Sequence, residues 1–447
     1  MDNYVEKAID DLRMSSRRYD KFERYYNGVH ELSFATEKFQ NAFGTQFRAF
    51  AMNLCPAVCD AVKDKLKITG FSVDEGPADA EPHAARVWAA NKMELRANEI
   101  HKEALKNGDA YVIIWPDHLG RAMLVSNSAA NITVTYDEEC PGRIIRAVKF
   151  WRTAERLTRL NLYFPDRIEK YVTAKPGEGI LPDCGEFIPF RDNSVSRALP
   201  EPSLPHAAAG HIVPNPFGVV PVFHFANNAD LGMPGRSELE GAIPIQDGLN
   251  KSILDMLVAM EFSAFRQRWV AGIEVEQDAD GKAIAPFKPG IDRLWVAQDP
   301  NSKFGDFEAA QLDQFLKVKD SFRIDIASVT GTPLHYLMPH MRGQPSGETL
   351  KKSETRFLAK VRDRQAAFGQ VWSDIMEFAL KIEGIGGKVR LRTLWEDPSP
   401  TSERERLENI LLKKQIGLSV SRSLQEAGYG KAEIREIDSK VDFRDNS

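Results

Sequence analysis

The run PIQDGLNKSILDMLVAMEFSAFRQRWV, residues 244–270, carries its apolar side chains at helical spacing. Ile245, Leu249, Ile253, Met256, Leu257 and Met260, then Ala264 and Arg268, fall on one stripe. Pro244 suits a first helical turn, where its missing N–H would be unpaired in any case. The pattern predicts a helix from Pro244 to Val270, about 40 Å long at 1.5 Å per residue, ended by Gly272. Residues 273–297 read as a small β-like insert with a turn at Asp278-Ala279-Asp280-Gly281. A second amphipathic helix is expected from Ala309 to Val329, on the stripe Leu312, Phe315, Leu316, Phe322, Ile326 and Val329. Two helices around a compact insert make a hairpin with a knob at its tip.

Downstream of this hairpin lie Gly331-Thr332-Pro333 and an irregular run from Met338 to Pro345. Ser346 is a suitable N-cap for a third long helix reaching Leu380, with Leu350, Phe357, Val361, Phe368, Trp372, Ile375 and Ala379 as its stripe. Its other face bears Lys351, Lys352, Arg356, Lys360, Arg362 and Arg364 against Glu354 and Asp363. That face reads either as a solvated surface with pairs such as Asp363 to Lys360 and Arg364, or as the lining of a nucleic-acid path. A short strand at Val389–Leu394 and helices at 401–416, 420–427 and 431–437 complete the tail.

Upstream, Ile9, Leu12, Tyr19, Phe22 and Tyr26 mark a first helix stopped by Asn27-Gly28. A second helix is expected from Gln46 to Leu66, kinked at Pro56, then an extended stretch from Ile68 to Val73, and a third helix from Ala84 to Lys106 closed by Asn107-Gly108. From Asp109 the period changes to two: strands are expected at 110–115, 121–126, 131–136, 143–151 and 158–164, an antiparallel meander in an α+β domain ending near Thr173. Residues 175–211 are Pro-rich and aperiodic, a long loop, and Val219 to Phe225 is a further short strand.

Composition narrows the function classes. No run of about 18 apolar residues occurs, which excludes a helical membrane span, and the first residues lack a secretory pattern, so maturation in a cytoplasm is expected. Cys55, Cys59, Cys140 and Cys184 are too scattered for a disulfide framework; Cys55 and Cys59 lie one helical turn apart, half of a metal site without a second pair, so no metal is assigned. With 59 basic against 64 acidic residues, a net charge of -5, the chain has no basic excess for tight, static binding of nucleic acid. No phosphate-cradling loop, nucleophile elbow or zinc-protease motif is present, so no cofactor and no catalytic residue are assigned. His335 and His340 are five apart across Pro339, a spacing that matches no helical metal pair. Asp137-Glu138-Glu139 is the one acidic cluster a metal-dependent nuclease or hydrolase could use; beside Cys140-Pro141-Gly142 it reads as a solvated hairpin turn.

Four ordered blocks carry a resemblance. They are Tyr25-Tyr26-Asn27-Gly28 with Phe34 to Phe39 and Phe47 to Cys55; Gly235-Arg236-Ser237-Glu238-Leu239-Glu240 leading into Ile245 to Lys251; Thr330-Gly331-Thr332-Pro333 with Pro345 to Leu350 and Ser353-Glu354; and Gly417 to Leu424 with Gly428-Tyr429 and Glu433-Ile434. In order and spread the set resembles portal proteins of tailed bacteriophages, in particular those of actinobacterial siphophages.

The resemblance implies an α+β portal-type fold. Residues 1–235 would form a wing, 236–271 and 308–330 a helical-hairpin stem, and 272–307 a small α/β clip. Residues 331–347 would be the tunnel-loop region, 348–398 a long helix returning to the wing, and 399–447 a short helical crown. It further implies a homo-oligomeric ring, usually a dodecamer, at one capsid vertex of the virion, formed in the host cytoplasm during assembly. Its partners would be double-stranded DNA in the channel, the terminase motor, a head–tail connector, and the major capsid and scaffolding proteins. His340, Arg342 and Gln344 are the residues expected to face DNA. Twelve copies would carry a formal charge of about -60, which weakens the hold on a polyanion and lets duplex slide.

Overall fold

A computed structural model describes residues 3–31, 51–77, 79–177, 181, 187–190, 211–230, 233–264, 268–272, 300–306, 312–338, 354–385, 387–399, 403–427, 434 and 437. In chain order the elements begin α1 (Asn3–Tyr26), α2 (Cys55–Lys63), β1 (Ile68–Glu75), α3 (Ala80–Ala90), α4 (Met93–Asn107), β2 (Asp109–Pro116) and β3 (Ala122–Asn127). The strands β4 (Ile132–Tyr136), β5 (Ile144–Arg152), β6 (Thr158–Tyr163), β7 (Arg167–Thr173), β8 (Phe187–Pro189), β9 (Ile212–Pro214) and β10 (Val222–Ala226) follow. Then come α5 (Ile243–Ala264), β11 (Arg268–Ala271), β12 (Lys303–Asp306), α6 (Leu312–Thr330), α7 (Leu334–Leu337), α8 (Thr355–Ile382), β13 (Arg390–Trp395), α9 (Glu403–Gln415) and α10 (Val420–Glu426). Contacts divide the chain into two compact units: Met1–His30, Asn53–Gln246 and Asp325–Ser447 form one, Glu31–Met52 and Asp247–Ile324 the other.

The expected meander is two sheets in the first unit. β10, β2 and β3 form one, in that order; β4 to β8 run in sequence order in the other, with β9 also pairing β7. The break falls after β3 because Ser128 caps a single 3-10 turn at Ala129–Asn131, its side chain accepting the Ala130 N–H. Val5, Ala8, Ile9 and Leu12 of α1, spaced as one helical face, pack on Val148, Phe150, Leu160, Leu162 and Tyr171 of the larger sheet.

The main core forms around α8, whose Phe357, Val361, Phe368, Trp372, Ile375 and Ala379 are buried as the stripe requires. Trp372 lies 5.0 Å from Trp88 and 4.9 Å from Phe225, ring centre to ring centre, and its indole N–H donates to His101 Nε2 at 2.8 Å. Its Gly369 lies where a Cβ would come within 2.9 Å of the Trp395 indole, so the missing side chain lets the helix pack close against β13 there. β13 pairs antiparallel with β1, joining strands more than 300 residues apart in sequence.

Three sequence expectations are corrected. The second helix starts at Cys55 and not at Gln46; residues 51–54 are non-helical, residues 46–50 lie outside the described residues, and Pro56 sits in the first turn instead of kinking the middle. The helix expected from Ala84 to Lys106 is α3 and α4, starting at Ala80 and broken at Asn91-Lys92, where Lys92 adopts a left-handed φ of 54°. Asn91 explains the break. Its amide donates to the carbonyls of Val87 and Ala122 and accepts the Leu124 N–H, so one side chain both ends a helix and covers the edge of β3. Finally, the helix from Pro244 does not reach Val270: it ends by Ala264, and Arg268–Ala271 is a strand.

In the second unit, β11 pairs antiparallel with β12, so Arg268–Ala271 closes against Lys303–Asp306. Gly305 allows this, because a Cβ there would lie 2.6 Å from the Trp269 ring. Gly248 of α5 faces Phe322 of α6, a would-be Cβ meeting the ring at 3.0 Å, so these helices approach closely. Most of the expected insert, 273–299, lies outside the described residues, as do the early motif 34–50, most of the Pro-rich stretch, Ser346 and most of the last tail helix.

Candidate functional site: a buried polar junction beside a charged cleft

The block Gly235-Arg236-Ser237-Glu238 packs against the end of α4, all within the first unit. Gly108 ends that helix with φ 93°, and the Gly235 backbone crosses it so closely that a Cβ on Gly235 would sit 1.9 Å from the Gly108 carbonyl oxygen. Backbone bonds lock the crossing: Asn227 N–H to Gly108 O at 2.8 Å, Arg236 N–H to Asn227 O at 2.7 Å, and Glu238 N–H to Leu105 O at 2.9 Å. The Ser237 hydroxyl donates to the Lys106 carbonyl, one of the orphan acceptors of a helix C-terminus.

Asp109 follows and is fully buried. Its carboxylate accepts the Gly235 N–H at 2.8 Å, the Tyr19 hydroxyl at 2.7 Å, His224 Nε2 at 2.8 Å and Arg18 Nη2. Burial alone would raise this carboxyl, but the hydrogen bond and charge of His224, with Tyr19 and the Gly235 N–H, hold it below the usual carboxylate range. Asp109 thereby ties α1, β2, β10 and the Gly235 crossing to one buried charge.

Glu238 does the same for the helices. It accepts from Lys360 Nζ, from Arg364 Nη2 at 3.1 Å and from Asn227 Nδ2 at 3.1 Å. Lys360 donates also to the carbonyl of Thr330, the last residue of α6, at 2.8 Å. Burial pushes the Glu238 carboxyl up, and the charges of Lys360 and Arg364 outweigh it, so its pKa is lowered. Beside it opens a cleft of about 560 Å³ whose walls include Arg236, Glu240, Val329, Gly331, Arg356 and Asp363.

This geometry decides between the two readings of the basic helix face. Lys360 and Arg364 are committed to Glu238, and Arg362 donates to Ser399 Oγ at 3.1 Å. Lys360 and Arg364 are structural cations, and their expected pairing with Asp363 is replaced by pairing with Glu238. Lys351 and Lys352 lie outside the described residues; Arg356 and Arg362 are the cations of that face that stay exposed and, among the described residues, make no ion pair.

His340, Arg342 and Gln344 lie outside the described residues. His335 is described, and its Nε2 lies 3.2 Å from the buried carboxylate of Glu354. Asp137 is a turn residue, accepting the Glu139 N–H at 3.0 Å within the β4–β5 hairpin. Cys55 and Cys59 are buried on α2, and burial pushes the Cys59 thiol up. Among the described residues no group of three or more His, Cys, Asp or Glu is placed to hold a metal ion. Among them, too, no helix is long and apolar enough to cross a membrane. Sequence reading missed Asp109 and Glu238. Glu238 stands in one of the ordered blocks and Asp109 in none, and a lone carboxylate carries no periodic signal.

Fold and junction describe a structural subunit in which buried ion pairs and crossing glycines hold long helices to a sheet scaffold. The chain belongs to the family described as "Phage portal protein, SPP1 Gp6-like", whose model matches residues 6–438. It is 26% identical over 358 residues to the portal protein of Mycobacterium phage L5, covering 76% of this chain and 67% of that protein. To the portal protein of Mycobacterium phage D29 it is 24% identical over 402 residues, covering 85% and 76%. It is also similar to a chain in the neck of an empty gene transfer agent particle, at 13% identity and a TM-score of 0.47, covering 88% of this chain and 94% of that one. A chain of the native particle's neck, computed with C12 symmetry, gives 12% identity and a TM-score of 0.45 over 89% and 94%. The chain is a phage portal protein.

Proposed function

We propose that this portal protein assembles into a closed homo-oligomeric ring of twelve at one capsid vertex, forms the channel for DNA packaging and ejection, and turns over no substrate itself. The observation that carries this reading is the family match across residues 6–438, nearly the whole chain. Apolar surface supports it: Leu316, Val318, Ile324 and Val329 of α6 and Leu407, Leu411 and Leu412 of α9 are exposed on the single chain. Rows of this kind on long helices need neighbours, and a ring supplies them.

In this reading 1–235 is the wing, 236–271 and 308–330 the stem, 272–307 the clip and 399–447 the crown. The clip docks a terminase motor and later a head–tail connector, the outer parts meet capsid and scaffolding proteins, and assembly takes place in the host cytoplasm. The segment 331–347 faces DNA through His340, Arg342 and Gln344. Nothing in the geometry favours a metal-dependent nuclease or hydrolase: Asp137 serves a turn and has no second carboxylate set around it among the described residues. Negative-stain microscopy of purified protein is the test. Rings with a central hole are expected; a monomer under all conditions, including co-expression with the capsid proteins, would count against the proposal.

A further inference from the structure

The cleft beside Glu238 keeps charges that the buried junction does not use. Lys360 and Arg364 are committed to Glu238. Arg356 and Asp363 of the same helix also line the cleft; both are exposed and, among the described residues, make no ion pair. They stand seven residues apart on α8, two turns or about 10 Å along its axis. On the wall formed by the Gly235 crossing, Arg236 reaches Asp230 and Glu240 only at 3.4 Å, and all three side chains are exposed. The cleft therefore offers two loosely held arginines and one free carboxylate.

A group of the opposite signs lies elsewhere in the same unit. The β4–β5 connection, residues 137–143, reads Asp-Glu-Glu-Cys-Pro-Gly-Arg and holds the one run of three consecutive acids in the chain. Asp137 is spent on the turn: its carboxylate accepts the Glu139 N–H at 3.0 Å, and its own N–H donates to the Arg143 carbonyl at 2.9 Å. Glu138 and Glu139 are exposed and, among the described residues, make no ion pair; exposed Arg143 has only Asp137, at 3.9 Å. Nothing lies within 4 Å of where a Cβ on Gly142 would stand, so the tip is clear of its own chain. One folded unit holds both cleft and hairpin, yet within a single chain their charges do not meet.

We infer that the charged cleft of one copy receives the acidic hairpin tip of the next, an inference that rests on the ring proposed above. Glu138 and Glu139 of the incoming copy meet Arg356 and Arg236, and its Arg143 meets Asp363. Each chain has one cleft and one hairpin, so the contact runs head to tail, and only a closed ring leaves none of them unpaired. The cleft, about 560 Å³, is large enough for several side chains. A nucleic-acid backbone fits it less well: Asp363 and Glu240 repel phosphate, and a phosphodiester carries no cation for Asp363. The hairpin brings both signs. Exposed ion pairs are weak singly; here several close together around the tip and recur at every subunit boundary.

The test joins microscopy to disulfide trapping. Cys140 is exposed at the hairpin tip, whereas Cys55 and Cys59 are buried. In the full chain carrying Cys184→Ser, the change Glu240→Cys places a thiol at the cleft. Mild oxidation should give a ladder of linked oligomers beyond the dimer on a non-reducing gel, with mass spectrometry finding the link between positions 140 and 240. The same chain without Glu240→Cys should give no ladder. Arg356→Glu sets like charges face to face and should move assembly to at least about tenfold higher protein concentration. Adding Glu138→Arg and Glu139→Arg should recover most of that loss. All three positions are exposed, and circular dichroism checks that each variant folds. Rings in negative stain without the 140–240 link, or an Arg356→Glu variant that assembles like the parent, overturn the inference and leave the ring reading standing. A link found only within monomers or only in dimers also overturns it, placing the hairpin on its own cleft or across a two-fold axis. Absence of both rings and links sinks the two readings together.

Discussion

Glu238 is the side chain on which α6, α8 and the Gly235 crossing converge, through Lys360, Arg364 and Asn227. Removing its charge leaves two cations desolvated, and breaking a buried ion pair from one side costs about 3–5 kcal/mol. Glu238→Gln should therefore lower stability by roughly that amount in chemical denaturation, and a double-mutant cycle with Lys360→Met should show coupling of more than about 1 kcal/mol. Independent, additive losses would show that the pair is incidental. Gly235→Ala meets backbone at 1.9 Å, with no flexible side chain to give way. Overpacking of this kind costs about 1–3 kcal/mol or more, and a melting temperature equal to that of the parent would contradict the crossing described above. His101 offers a pH test. It is fully buried, and burial lowers its pKa to about 3. The unfolded chain binds a proton there below about 6.5 while the folded chain does not, so stability must fall as pH drops from about 6.5 towards 3, by up to about 1.4 kcal/mol per pH unit. His101→Leu should flatten that slope while losing the acceptor for the Trp372 N–H at 2.8 Å; an unchanged slope would mean the group is not neutral when folded.

At the scale of elements, amphipathic stripes were legible and partnerships were not. The stripe of α8 named its buried residues, Phe357 to Ala379, because tertiary packing uses the same period that the sequence displays. The basic residues on its other face were left with two readings, a solvated surface or the lining of a nucleic-acid path, since periodicity cannot tell a cation that finds a buried carboxylate from one that stays in water. The break between α3 and α4 was invisible for a similar reason: Asn91 is an ordinary helical residue until the edge of β3 offers it a carbonyl and an N–H. α6 carries the prediction proper to this scale. Leu316 and Ile324 are exposed about two turns apart on one broad side of the helix. The double change Leu316→Gln, Ile324→Gln should leave the far-ultraviolet spectrum unaltered and shift sedimentation from ring to monomer. Rings of undiminished stability would show that this stripe does not lie between subunits.

For the whole molecule, Asp109, Glu103 and Glu238 are buried carboxylates whose partners outweigh burial and depress their pKa values. A depressed carboxyl contributes stability above its unfolded pKa and loses it as pH falls through the folded one. Acid unfolding should therefore begin below about pH 4 and, unlike the His101 effect, should be delayed in the Asp109→Asn variant if that variant folds. A transition at the same pH in variant and parent would place the acid-sensitive groups elsewhere. The same three carboxylates tie α1, α4, α6, α8 and the smaller sheet together within one unit, so loss of one should be felt across that unit and not only locally.

Sequence alone determined the long amphipathic helices α5 and α6, the alternation of β4 to β6, the buried stripe of α8 and, through ordered motifs, the portal family. All of these are written in local periodicity or in short runs of adjacent residues. Only the tertiary structure decided that β1 pairs with β13, that the meander divides into two sheets, that Arg268–Ala271 closes a ladder, and that Glu238 captures Lys360 and Arg364. Each joins residues far apart in the chain or depends on one polar side chain, and the physical reason is common to them. The free energy of a strand pairing or a buried ion pair depends on what lies opposite in space, and one chain read in order does not display that neighbour.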